Sequence, residues 1–183
     1  LWQDGPLADE DQRSPVRILT YDRYGRNLGH YRYQVDPLPN PLQLPQVEGS
    51  RGLVELLAIN EQQLLALERS YVTTNRTNYL HLYQVDLSAR PGDGGTELSA
   101  GANSAIGTAV KRLILDFDDI IDRLDPAHPT LDNVEGMCFG PDFPDGSRLL
   151  IIVSDGNFNS RQRNQFLAFK LQVEGEKKPS TTP

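Results

Sequence analysis

The sequence predicts an all-β fold, a partial β-propeller-like arrangement of antiparallel four-stranded blades. About nine short apolar or alternating segments follow one another between polar turns, and no segment has the pattern of a long amphipathic helix, which is typical of sandwiches, barrels and propellers. Weak internal repetition favours the propeller. An apolar strand, a strand that ends at a carboxylate and a longer strand occur twice in this order, as successive blades would produce.

The first predicted strands form a hairpin. Residues 16–22 and 28–35 alternate in part and flank a turn at 23–27, so they are expected to pair. The stretch 36–51 carries four prolines, which prevent ladder pairing and mark a connection.

The first repeat is predicted to be a four-stranded sheet. Its segments are 53–59, 63–68, 78–87 and 110–117. By propensity alone the first segment could be a helix, but its short length and the turn at Asn60 and Glu61 favour a strand. In 78–87 the residues alternate, with Tyr79, His81 and Tyr83 on one face.

The second repeat comprises three predicted strands. They are 134–139, 148–154 and 165–173. Within the first repeat, 88–108 is predicted to be a loop rich in Gly, Ser and Ala, and between the repeats 118–125 is expected to form a short helical turn.

The 183 residues fit a single domain. We divide them into a polar N-terminal segment at 1–15 that is expected to be loop, a propeller portion at 16–173 and a charged tail at 174–183 that is expected to be disordered. The chain begins with Leu1 rather than Met, so it is expected to be a processed product or a fragment. A periplasmic or secreted location would follow if a signal peptide had been removed.

Charge and composition narrow the classes of partner. A net charge of −7 argues against nucleic acid and anionic membranes and fits cation binding. No apolar run approaches the roughly 20 residues of a transmembrane helix. The single cysteine, Cys138, lies in an apolar run and is predicted to be a small buried hydrophobe.

Three carboxylates lie at the ends of predicted apolar strands. Glu68 ends one strand, Glu135 lies near the start of another, and Asp155 follows a third. A buried carboxylate is costly unless cations or hydrogen bonds compensate it, so the three are expected to converge on one site. Their oxygens suit a hard cation such as Ca²⁺, although a full shell of six to eight ligands would need carbonyls or water as well. The alternative is that each carboxylate caps a turn or pairs with an arginine.

Five motifs together resemble one family. They are Leu-Ala-Leu-Glu-Arg-Ser at 65–70, Leu-Tyr-Gln-Val-Asp-Leu at 82–87, Asn-Val-Glu-Gly at 133–136, Pro-Asp-Gly-Ser-Arg at 144–148 and Val-Ser-Asp-Gly-Asn-Phe at 153–158. The chain is similar, from about residue 14 to 173, to the phytase-like domain family, whose members are described as having esterase-like activity. The resemblance implies a β-propeller of which further N-terminal blades are absent here. Open sheet edges would then pair with the missing blades or with a second copy.

The resemblance implies metal-assisted hydrolysis of a small phosphoester or ester. Glu68, Glu135 and Asp155 are the predicted metal ligands. Arg69 and Asn157 are candidates for substrate binding, since a guanidinium binds oxyanions in a bidentate manner. No Gly-x-Ser-x-Gly motif indicates a nucleophile elbow. The second interpretation is a non-catalytic propeller scaffold that binds a protein or ligand, in which the carboxylates only order the channel.

Overall fold

A computed structural model describes residues 13–44, 46–88 and 106–172, together with the backbone of 2–3. The chain divides into two compact units, Leu1–Leu131 and Asp132–Pro183, each of which is described by itself. Both units are built from mainly antiparallel β-sheets, so the all-β prediction is confirmed. The predicted tail at 174–183 lies outside the described residues.

Sheet 1 contains the predicted hairpin. Its strands, in the order β1-β2-β3-β7, are Trp2–Gln3, Ser14–Tyr21, Asn27–Val35 and Ile106–Thr108. The prediction of loop throughout 1–15 is wrong, because β1 pairs with β2 and β2 already begins at Ser14. β7 pairs in parallel with β3. It has only three residues, which are too few to show the period-2 alternation that predicts a strand.

Sheet 2 matches the predicted first repeat. Its strands, in the order β4-β5-β6-β8, are Gly49–Ala58, Gln63–Val72, Thr77–Asp86 and Val110–Asp116, and every pair is antiparallel. The choice of strand over helix for 53–59 is confirmed. The predicted end of β5 at Glu68 is wrong, since the strand continues to Val72. A charged residue does not end a strand when neighbouring side chains compensate its charge, as they do here.

The core of the first unit lies between sheets 1 and 2. Eight buried residues form it, four from sheet 1 and four from β5, β6 and the residue after β6: Val16, Ile18, Tyr33, Val35, Ala66, Tyr83, Val85 and Leu87. The opposite face of sheet 2 is also buried, with Leu67 and Leu82 directly opposed across β5 and β6. After β8, the residues Phe117–Arg123 form a 3-10 helix where the short helical turn was predicted. None of the described helices is long and apolar enough to cross a membrane.

The second unit contains sheet 3, which matches the predicted second repeat. Its strands, in the order β11-β10-β9, are Phe166–Leu171, Arg148–Ser154 and Val134–Asp142. Leu150 and Ile152 of the central strand are buried. The prediction that Cys138 is buried is wrong: its side chain is exposed, because its register partner is Ile151, on the face opposite to Leu150 and Ile152. Apart from the parallel β3–β7 pair of sheet 1, the described strand pairs are antiparallel as expected, and the assembly of the sheets into a propeller stays a prediction.

Candidate functional site

Glu68 lies at the centre of the first unit, on the face of β5 that packs against sheet 1. The strand register places it beside His81 of β6, which in turn lies beside Asp116 of β8. The Glu68 side chain is fully buried. Its charge must therefore be compensated by protein groups rather than by water.

Four donors surround the Glu68 carboxylate. Its Oε1 accepts a hydrogen bond from the Tyr33 hydroxyl at 2.6 Å and pairs with Lys111 Nζ at 2.6 Å. Its Oε2 pairs with Arg51 Nε at 2.7 Å and accepts a longer bond from the Asp36 backbone amide at 3.2 Å. Tyr33 and Asp36 belong to β3 and the residues after it, so Glu68 connects sheet 2 to sheet 1.

Arg51 extends these contacts to His81. Its Nη2 lies 2.6 Å from His81 Nδ1 and donates to the Tyr83 hydroxyl at 3.0 Å. A guanidinium can only donate, so Nδ1 accepts and the imidazole proton lies on Nε2. Nε2 then donates to Asp116 Oδ2 at 3.3 Å. Burial and the Arg51 charge lower the pKa of His81, against the opposing effect of Asp116.

Lys111 and Asp36 complete the arrangement, which we name the Glu68 network: Tyr33, Asp36, Arg51, Glu68, His81, Tyr83 and Lys111. Lys111 Nζ lies 3.1 Å from Asp36 Oδ1 and 4.3 Å from the centre of the Tyr83 ring. The Tyr83 hydroxyl donates to Asp36 Oδ2 at 2.7 Å. Burial would raise the pKa of Asp36, but the Tyr83 hydroxyl and the Lys111 ammonium outweigh it and the pKa is lowered.

The two tyrosines act as neutral donors within the network. Burial, and then the negative charge of Glu68, raise the pKa of both Tyr33 and Tyr83 far above the ordinary value. Each hydroxyl therefore keeps its proton at all physiological pH values. The network thus contains two cations, Arg51 and Lys111, and two carboxylates, Asp36 and Glu68. The two tyrosine hydroxyls donate hydrogen bonds to the carboxylates without adding charge.

The contacts of Glu68 bear on its predicted role as a metal ligand. Both of its oxygens already accept two donors each, so a metal ion would have to displace Arg51 or Lys111. Removing one partner of a buried ion pair is costly, since it leaves the other charge uncompensated. The arrangement is that of a compensated cluster which orients two sheets.

Glu135 and Asp155 lie together at one end of sheet 3, in the second unit. Asn133 joins them: its Nδ2 donates to Glu135 Oε1 at 2.8 Å, and its carbonyl accepts the Asp155 amide at 2.9 Å. The register shift between Val153 and Ser154 leaves Glu135 without an opposite residue in β10. Both carboxylates are exposed. The predicted role of these two residues as metal ligands stays a prediction.

Asn157 lies in the turn that Asp155 initiates. Its backbone amide donates to Asp155 Oδ1 at 2.9 Å, and its Nδ2 lies 3.3 Å from Gln162 Oε1. Arg69, by contrast, is half-buried on the face of β5 opposite to Glu68, as strand alternation predicts.

The convergence of Glu68 with Glu135 and Asp155 stays a prediction, since the first lies in one unit and the other two in the other. Within residues 13–44, 46–88 and 106–172, no group of three or more His, Cys, Asp or Glu side chains is arranged to hold a metal ion.

Sequence reasoning missed most of the Glu68 network. Arg51 lies at the end of the proline-rich connection and Lys111 in a strand with other charged residues, so neither stands out. One signal was available: Tyr79, His81 and Tyr83 were predicted to share a face, and that face is the one that contacts Glu68. Polar side chains alternating along an inward face indicate partners on the neighbouring sheet.

Comparison with known proteins identifies one family. The profile described as phytase-like, esterase-like activity of phytase, matches residues 1–158. The match includes Glu68, Glu135 and Asp155 and ends before β11, whereas the motif resemblance was expected to reach residue 173. Neither a curated protein nor a solved structure matches the chain.

Proposed function

This chain belongs to the phytase-like family, and from that premise we propose that it is a metal-assisted hydrolase of phosphoester or ester substrates. The family description supports a hydrolase-like function. The observation that carries the proposal is that two exposed acidic residues, Glu135 and Asp155, lie at one end of sheet 3, where Asn133 bonds the Glu135 carboxylate and the Asp155 backbone amide.

The donor chemistry of this pair fits a hard cation. Carboxylate oxygens are the ligands that Ca²⁺ prefers, and backbone carbonyls or water would complete its shell. Glu135 and Asp155 would hold the ion, and Asn133 fixes the orientation of Glu135. When bound, Ca²⁺ supplies a positive charge that polarises the ester and favours ionisation of water.

In the reaction, the oxygen of a water molecule forms a bond to phosphorus or to the acyl carbon. The bond to the ester oxygen breaks, and a proton from the water ends on the departing alcohol. The exposed position of both carboxylates leaves room for a substrate from solvent. Asn157 would contribute to binding from the turn that Asp155 initiates.

In this proposal Glu68 has a structural role. Its bonds from the Tyr33 hydroxyl and the Asp36 amide tie sheet 2 to sheet 1. The compensated state of this buried cluster also favours a second candidate, a non-catalytic scaffold that binds a protein or ligand. In the scaffold the carboxylates at sheet 3 would bind no metal ion.

Calorimetric titration with Ca²⁺ tests the proposal. We expect saturable binding that Glu135→Gln and Asp155→Asn each weaken at least about tenfold, since each removes a charged ligand. Glu61→Gln, which changes an exposed glutamate of the first unit, is the control. Release of phosphate from an aryl phosphate, or of acid from an aryl ester, should follow the same pattern. Unchanged Ca²⁺ binding in both sheet 3 variants would contradict the assignment.

A further inference from the structure

The loop between β10 and β11, residues 155–165, is braced by its own hydrogen bonds. The Gly156 amide donates to Asn164 Oδ1 at 2.6 Å, and the Arg163 amide donates to Asp132 Oδ2 at 2.6 Å. The Asn159 amide donates to the Gly156 carbonyl at 2.7 Å. Bonds at both ends and in the middle hold the loop in one conformation.

Two consecutive residues of this loop are in the left-handed backbone region. Asn157 has a φ of 47° and Phe158 a φ of 51°. Asparagine tolerates this region, whereas a bulky residue there is an outlier that costs free energy. Such strain persists only where the surroundings impose it, and it is frequent at binding sites. The strain here places a phenylalanine at the tip of a fixed loop.

Phe158 is fully exposed, and two cations follow it in the same loop. Arg161 and Arg163 are also exposed. Their backbone groups hold the loop together, but within the part of the chain that the structure describes neither guanidinium has a hydrogen-bond or ion-pair partner. The loop therefore presents one aromatic face and two available anion-binding groups within six residues.

We propose that the loop 155–163 binds the substrate, and that the substrate is an anionic ester whose leaving group is a planar or apolar ring. The ring stacks on Phe158, and the phosphate oxygens pair with Arg161 and Arg163. The assignment rests on the proposed function, because Asp155 begins the same loop. It adds a substrate class that the carboxylates alone do not define.

Two non-hydrolysable probes separate the contributions of ring and anion. Phenylphosphonate carries both groups, and methylphosphonate carries the anion alone. By calorimetry in the presence of Ca²⁺, we expect phenylphosphonate to bind about tenfold more tightly. Phe158→Ala should bring the two affinities within about twofold of each other, whereas a double change of Arg161→Ala and Arg163→Ala should weaken both about tenfold.

Phe166→Ala, which removes another exposed phenylalanine of the same unit, is the matched control and should preserve the preference. Arg123→Ala is the control for the two arginines. Equal affinity for the two probes in the unmodified chain, or a preference that survives Phe158→Ala, overturns the inference. Circular dichroism verifies the fold of each variant, which these exposed positions should not disturb.

Turnover distinguishes failure of this inference from failure of the proposed function. If phenylphosphonate is preferred but neither phenyl phosphate nor phenyl acetate is hydrolysed, the ring-binding loop is supported and the proposed hydrolase function is contradicted. If phenyl phosphate and methyl phosphate are hydrolysed with equal kcat/KM and the two probes bind equally, the hydrolase stands and the ring-binding loop does not.

Discussion

Arg51 and Glu68 form an ion pair in the interior of the first unit, with 2.7 Å between Nε and Oε2 and exposed side-chain fractions of 2% and 0%. A pair so deeply buried is not by itself a large source of stability, because both charges lose their hydration. Its effect depends on the further donors around it. Tyr33, Lys111 and the Asp36 amide satisfy the remaining acceptor positions of Glu68, so the pair specifies how sheets 1 and 2 meet.

Glu68→Gln should strongly destabilise the chain. The change leaves the Arg51 and Lys111 charges buried with less compensation, for which we expect a loss of about 3–5 kcal/mol in the free energy of unfolding. Urea denaturation followed by circular dichroism measures it. Glu61→Gln, at an exposed site, should change the free energy by less than about 0.5 kcal/mol. A small effect at Glu68 would mean that the buried pair is not formed in solution.

Stability should fall as the pH is lowered through the titration of His81. Its pKa in the folded protein is below the ordinary value of 6.5. Between those two pKa values the unfolded chain binds more protons than the folded chain, so the free energy of unfolding rises with pH. The stability that His81 contributes is therefore lost as the pH falls below 6.5. Arg51 and Glu68 face the imidazole from β4 and β5, Tyr83 lies beside it on β6, and Asp116 faces it from β8.

His81→Gln should reduce this dependence, because glutamine does not titrate. Denaturation midpoints measured between pH 5 and pH 8 test it, with His128→Gln as a control for the loss of a histidine elsewhere. Equal slopes for the unmodified chain and the His81 variant would show that the imidazole titrates as freely when folded as when unfolded.

Two buried serines should respond in opposite directions to the same substitution. Ser70 Oγ is buried and has no hydrogen-bond partner among the residues that the structure describes, so Ser70→Ala should leave the free energy of unfolding unchanged or raise it by about 1 kcal/mol. Ser154 Oγ donates to the Arg163 carbonyl at 2.6 Å and accepts from the Gln165 amide at 2.8 Å. Ser154→Ala should therefore lower it by about 1–3 kcal/mol. Thermal denaturation of the two variants tests this prediction. A loss of stability in Ser70→Ala would show that Ser70 Oγ makes a hydrogen bond in solution.

Two glycines of β4 provide a matched test of backbone packing. A Cβ at Gly49 would lie 2.2 Å from the Tyr71 carbonyl oxygen, whereas a Cβ at Gly52 would meet nothing within 4 Å. Because a backbone atom cannot easily move aside, Gly49→Ala should cost about 3 kcal/mol or more. Gly52→Ala should be close to neutral. Urea midpoints compare the two, and similar values for both would mean that β4 and β5 approach less closely in solution.

Most of the strands could be predicted from local patterns in the sequence. Alternation in β6 and the apolar run of β10 indicate half-buried and buried strands whatever their neighbours are, because side chains in a strand alternate between faces. It also indicated that Glu135 and Asp155 lie at strand ends, since Glu135 directly precedes one apolar run and Asp155 directly follows another. These are local properties, and the chain carries them without reference to distant residues.

Which charges are compensated could be established only from the tertiary structure. Tyr33, Arg51 and Lys111 come from three strands separated by up to 78 positions along the chain, and no local pattern states that they meet at one carboxylate. The same holds for β5, which continues beyond Glu68 because the partners of Glu68 neutralise its charge. It also holds for Cys138, whose exposure depends on which face of sheet 3 is covered. Whether a charge is buried depends on the groups that surround it, and these groups come from residues far apart in sequence.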